Sequence, residues 1–161
     1  MAKKVKIKKT LVEQILTKAG IDHIGIQINA LEGELPPEYG RNQIFKTLAL
    51  LGDKTGPIIG IVPITEHLSE KKLAKFSGNK KASMIPQKDL EKTTGYIHGA
   101  NNPVGIRQKH NYPIFIDQTA LDLDQMIVSA GEVGHSIIIR PQDLASFVKA
   151  DFADLLEESK S

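Results

Sequence analysis

A chain of 161 residues with 40% hydrophobic content has the length of one domain and enough apolar side chain for a core of ordinary size. It contains no cysteine, which excludes a disulfide framework, a thiolate-bound metal and a thiol nucleophile supplied by the protein, and a cytoplasmic location is the expectation. The net charge of +2 is too small to announce a polyanion partner by its total, and no apolar run approaches the ~20 residues of a membrane span, so no membrane partner is expected.

Charge is unevenly placed. Lys3, Lys4, Lys6, Lys8 and Lys9 crowd a basic arm over residues 1–9, while Asp151, Asp154, Glu157 and Glu158 load the other end, with residues 153–161 read as an acidic tail. Such an arm can steer a polyanion at low salt or be no more than a solvated terminus.

Next, Thr10 is placed to cap a helix over 11–19 closed by Gly20, with Leu11, Ile15, Leu16 and Ala19 at helical spacing. Residues 24–28 alternate as a strand, and 32–40, with Pro36-Pro37, read as a loop. The stretch 43–51 is apolar enough for a strand buried on both faces. A turn over 52–56 leads into a second apolar strand over 57–63, predicted as its antiparallel neighbour. Ser69 caps a helix over 70–76 that stops near Ser77-Gly78, residues 82–85 form a short strand, and 87–92 a short helix. Strands follow over 113–117, 125–129 and 136–140, the last two joined by a turn over 130–134. Pro141 opens a closing helix over 142–148, which Phe152 to Leu156 extend. Short strands and helices interspersed without a repeat or a linker give a single α+β domain, a curved mixed sheet flanked by helices.

Two features stand out from this frame. With a period of two, Lys46 shares a strand face with Ile44, Leu48 and Leu50, so its ammonium group guards an edge strand or stands as a fixed cation in a pocket. The run from Thr93 to Gly105 concentrates Gly95, Gly99, Gly105, Pro103, Asn101 and Asn102, which shapes a loop and lets a ligand approach the backbone, or makes a tight connection between strands. Arg107, Lys109 and His110 follow directly and suggest an anionic ligand. A methyl group added at Gly99 is expected to obstruct such a ligand at little cost to folding.

The familiar catalytic motifs are missing. The histidines are scattered without HExxH spacing, no GxSxG elbow or Walker loop occurs, and no metal or cofactor is expected, so activity should survive a chelator. Asp117, Asp122 and Asp124 read as turn carboxylates before a Mg²⁺ site, and His98 is kept as a site candidate because it lies inside the glycine run.

The order Phe45-Lys46-Thr47-Leu48, then Thr94-Gly95-Tyr96 with Gly99-Ala100-Asn101-Asn102-Pro103 and Gly105, then Pro113 to Asp117, then Val128-Ser129-Ala130-Gly131 and Gly134, resembles the YbaK/EbsC family of aminoacyl-tRNA deacylases. These are free-standing relatives of the editing domain of bacterial prolyl-tRNA synthetase. The resemblance runs from about Leu11 to Phe152 and is closest to the EbsC branch, whose members act on Cys-tRNA(Pro) or Cys-tRNA(Cys). It implies one editing-type domain over residues 1–161 with a partly barrel-like sheet. It also implies a trans-editing hydrolase that removes a wrong amino acid from mischarged tRNA, above all Cys-tRNA(Pro), because small side chains differ too little in binding energy to be rejected once.

On that resemblance Lys46 and Gly99 are the catalytic positions. Thr47, Tyr96, His98, Ala100, Asn101, Asn102, Pro103, Gly131 and Gly134 bind the 3′-aminoacyl-adenosine end, and prolyl-tRNA synthetase is a possible partner. Family enzymes use the substrate's own thiol as nucleophile, which suits a chain without cysteine. The chain departs from the family pattern at Asn102 where serine is common, at Ser136 where aspartate is common, at Glu132-Val133 where a basic pair is common, and near Ile28, where some members carry a tyrosine. Esters of alanine, serine or proline therefore stand as alternatives, as does a non-catalytic module that binds tRNA or a synthetase.

Overall fold

The computed structural model describes residues 9–27 and 38–158. The basic arm before Lys9, Ile28, the proline pair and the last residues of the acidic tail lie outside the described residues.

Helix α1, Leu11–Lys18, begins as its sequence dictates: Thr10 Oγ1 accepts from the Glu13 amide while the Glu13 carboxylate accepts from the Thr10 amide. Its buried face is Val12, Glu13 and Leu16, with Leu11 turned to solvent, so the inward stripe is rotated from the one read in the sequence. The chain continues through β1 (His23–Ile26), β2 (Phe45–Gly52), β3 (Gly56–Pro63), α2 (Glu70–Ser77), β4 (Ala82–Met84), α3 (Gln87–Thr94), α4 (Pro103–Lys109), β5 (Ile114–Asp117), β6 (Met126–Ser129), β7 (Ser136–Ile139), α5 (Pro141–Val148) and β8 (Asp151–Ala153).

The strands fall into two open sheets rather than the single mixed sheet expected. The larger has the order β4-β2-β3-β5-β8, antiparallel at its first two junctions and parallel at the last two. The smaller is antiparallel with the order β1-β7-β6. An isolated parallel bridge between Ile44 and Ile127 ties them together.

Alternation along β2 and β3 feeds two cores. Phe45, Ala49, Ile59 and Ile61 pack with Val12, Leu16, Val104, Val128 and Leu144 on the side of the smaller sheet, while Leu50, Ile58 and Val62 pack with Leu73 and Ala74 of α2 on the other. The β2–β3 hairpin is the predicted antiparallel pair. β2 is not buried throughout, because Leu51 is exposed and Lys46, Thr47 and Leu48 are half-buried.

Two further expectations are corrected. Residues 103–109 are a helix, with Pro103 at its first position and Asn102 as N-cap, so the glycine-rich run joins two helices rather than two strands. Phe152 does not extend the last helix: Lys149 ends α5 in the left-handed conformation (φ 57), and the following residues pair in parallel with β5.

Candidate functional site

The functional geometry begins with incomplete pairing of β2. Strand β4 covers it only over Leu50–Gly52, where the register pairs Leu50 with Met84 and Gly52 with Ala82. The Ile85 amide then donates to the Ala49 carbonyl at 3.2 Å, and towards the other end Ile44 bridges to Ile127. Between them β2 has β3 on one side only. In an antiparallel ladder main-chain groups alternate in direction, so the Thr47 N–H and C=O share the outward side used by Ala49.

A cavity of about 250 Å³ straddles this open edge. Ile44 to Ala49 form one wall; Met84, Ile85, Gln87 and Leu90 of the β4–α3 region form a second; His98, Gly99 and Asn101 descend from the loop after α3; and Ser129, Gly134, His135 and Ser136 come from the end of the β6–β7 hairpin. Cavities for small ligands run from roughly 300 to 1,000 Å³, so this one suits a small group. Among the described residues that line it, Lys46, His98 and His135 are the titratable ones and none is Asp or Glu. Among the described residues Lys46 has no ion-pair partner.

The structure divides the expected site residues into two groups. Lys46, Thr47, His98, Gly99, Asn101 and Gly134 line the cavity. Tyr96, Ala100, Asn102, Pro103 and Gly131 stand behind its wall. Asn102, fully buried, accepts from the Gly105 amide at 2.6 Å and donates from Nδ2 to the Ala100 carbonyl at 3.1 Å, so it holds the start of α4 in place. The Tyr96 ring packs where a Cβ at Gly105 would stand, and a Cβ at Gly131 would meet Val12, Asn102 and Tyr96. These residues shape the loop without lining the cavity.

Gly99 has φ +89 and an added Cβ would meet only Val133, at 3.5 Å. Its backbone conformation disfavours a side chain whatever the space, so the expectation of little folding cost from a methyl group there is corrected. The basic residues after the loop do not reach the cavity either. Arg107 donates from Nε to the Val148 carbonyl at 2.6 Å and burial lowers its pKa, Lys109 lies 4.9 Å over the Tyr96 ring, and His110 stacks on Tyr112. Asp117 is fully buried and accepts from the Thr119 amide, the Thr119 hydroxyl and the Leu155 amide, which makes it a turn carboxylate. Among the described residues no cluster of three metal-ligating side chains occurs, and no helix is long and apolar enough to cross a membrane.

Sequence reasoning missed His135 and the wall formed by Met84, Ile85, Gln87 and Leu90. Of the other lining residues not named as site candidates, Ser129 carried a signal as part of the quoted turn and Ser136 as a departure from the family pattern. Of the departures, Asn102 sits behind the wall and fills a capping role that serine also fills, whereas Ser136 lies on the cavity itself.

Comparison with known proteins places this geometry. The model of the aminoacyl-tRNA editing domain family matches residues 37–147. A protein of Enterococcus faecalis named as a Cys-tRNA(Pro)/Cys-tRNA(Cys) deacylase, EbsC, is 40% identical over 134 residues, which cover 83% of this chain and 78% of that protein. The fold is shared with a crystal structure described as a trans-editing enzyme for prolyl-tRNA synthetase (TM-score 0.73, 21% identity, covering 91% of this chain and 95% of that one). It is shared too with a crystal structure of a hypothetical protein (TM-score 0.77, 18% identity, covering 91% and 99%).

Proposed function

Starting from the premise that this chain belongs to the aminoacyl-tRNA editing domain family, we propose that it deacylates Cys-tRNA(Pro) in trans. The observation that carries the reading is the small cavity on the open edge of β2, where Lys46, a glycine-containing loop and outward main-chain groups converge with no carboxylate among the described lining residues. A terminal adenosine brings phosphate and ribose oxygens, which a carboxylate would repel and Lys46 would attract. Gly99 lets the ester approach the loop backbone, and the outward Thr47 N–H is a donor for the carbonyl oxygen. His98, exposed at the end of the loop, meets the rest of the nucleotide.

The nucleophile is the thiol of the substrate's own cysteine. Its sulfur attacks the ester carbonyl, the bond from that carbon to the ribose oxygen breaks, and the ribose oxygen takes the proton released by the thiol. Water then opens the cyclic thioester to free cysteine. The protein's part is to hold the ester bent with the thiol close to the carbonyl, which converts a slow bimolecular step into an intramolecular one. The structural likeness to an enzyme described as trans-editing supports prolyl-tRNA synthetase as the partner that supplies the mischarged tRNA.

The test is deacylation by the purified chain of tRNA carrying cysteine, serine or alanine. Release should be fast from Cys-tRNA and much slower from the other two. Equal rates on Ala-tRNA and Cys-tRNA would rule out the thiol mechanism.

A further inference from the structure

Among the described residues, two side-chain oxygens on the cavity lining are buried without a hydrogen-bond partner: Thr47 Oγ1 and Asn101 Oδ1. Asn101 is only 8% exposed, and its amide is already oriented, because Nδ2 donates to the Ile97 carbonyl at 3.2 Å. Turning the amide over would set oxygen against oxygen, so Oδ1 stays an acceptor with nothing to accept from. A buried polar atom left unsatisfied is costly, and native proteins hold few of them.

The walls around these atoms are otherwise rich in carbon. Ile44, Phe45, Leu48, Ala49, Ile85 and Leu90 suit the methylene of a small side chain. An ammonium group is poorly served beside Lys46 in a cavity with no carboxylate among its described lining residues, which leaves the substrate's α-amine towards the mouth. The donor that reaches the wall is then one carried by the amino-acid side chain.

We propose that Asn101, with Thr47 as a second acceptor, makes this cavity select aminoacyl groups whose small side chain carries a hydrogen-bond donor over apolar groups of similar size. The inference rests on the editing reading above and adds a second layer of selection to it. A site built to hydrogen-bond a substrate donor rejects the analogue lacking it, because its own buried acceptor is then left unpaired. A hydroxyl is a strong donor and a thiol a weak one, so binding runs serine, then cysteine, then alanine. The thiol mechanism, by contrast, puts cysteine first in turnover. Binding order and rate order therefore cross.

The experiment measures affinity without chemistry, by calorimetric titration with non-hydrolysable 3′-amide analogues of seryl-, cysteinyl- and alanyl-adenosine. The seryl analogue should bind the wild-type chain about tenfold or more tighter than the alanyl one, with the cysteinyl analogue between them. Asn101→Leu should bring seryl and alanyl affinities within about twofold of each other. Equal wild-type affinities for the seryl and alanyl analogues overturn the inference while leaving the editing reading intact, and this comparison needs no variant to fold. A preference that survives in a folded Asn101→Leu chain also overturns it. Failure of all three analogues to bind would remove the editing reading and the inference together.

Discussion

The front and back of the cavity wall share the loop that carries Asn101 and Asn102 but obey different rules. At the front, Lys46 has no ion-pair partner among the described residues, and Thr47 Oγ1 and Asn101 Oδ1 have no hydrogen-bond partner. At the back, Asn102 uses both ends of its amide, and Tyr96 and Gly131 interlock with Val12 and Gly105. Neighbouring residues in the loop thus serve opposite purposes. The front keeps polar groups unsatisfied, whereas the back spends its polar groups on holding the shape of the loop.

The sharpest way to break that comparison is Lys46→Ala. If the front serves the ligand, turnover of Cys-tRNA should fall by about 10- to 100-fold, the range for removing a hydrogen bond to a charged group, while the melting temperature stays within about 2 °C. A variant with wild-type turnover would leave Lys46 as a guard of the open strand edge. The back should respond the other way. Asn102→Ala removes the cap of α4 and leaves the Ala100 carbonyl without its donor, so stability should drop by about 1–2 kcal/mol in denaturant titration, with activity of the folded fraction largely kept. Asn102→Ser, which restores a capping oxygen, should recover most of the loss; no recovery would mean that Asn102 acts in some other way.

The smallest effect lies far from the cavity and serves as a control on both. Lys72 Nζ bonds Asp154 Oδ2 at 2.9 Å, and this hydrogen bond is the main cause that holds the Asp154 carboxyl below its ordinary pKa of 3.8. A depressed carboxylate pKa means the stabilisation is present above the unfolded value and is lost as pH falls through the folded one. Both side chains are partly exposed, 27% for Lys72 and 45% for Asp154, so solvent screens the pair and Lys72→Met should cost no more than about 1 kcal/mol at pH 7. The gap between variant and wild type should close below pH ~4. A gap that persists in acid would show that Lys72 contributes through its alkyl stem instead.

Local chemistry made much of the molecule legible in advance. Thr10 and Ser69 announced their helices because a hydroxyl there satisfies an orphan amide of the first turn, and Gly78 closed the second helix because it tolerates a positive φ of 80. The β2–β3 hairpin followed from two apolar runs around one turn. Helix α4 was hidden because Asn-Asn-Pro-Val-Gly has the composition of a turn, although Asn and Pro are also the residues that start a helix. Strand β8 was hidden for the opposite reason: Phe152, Leu155 and Leu156 fall at helical spacing, and a three-residue strand is too short to show alternation.

By itself, then, the sequence determined the α+β class, the caps and the hairpin, since each rests on interactions between residues close along the chain or on residue types that carry their own conformational preference; it was the family resemblance that joined Lys46 and the Gly99 loop in one expected site. Only the tertiary structure decided that the strands divide into two open sheets, that β4 stops short and leaves an edge of β2 open, and which loop side chains face that opening. Those outcomes depend on pairing between segments far apart in sequence, and on which of two adjacent asparagines turns inward: Asn101 lines the cavity with an unused acceptor, while Asn102 uses its own to begin a helix.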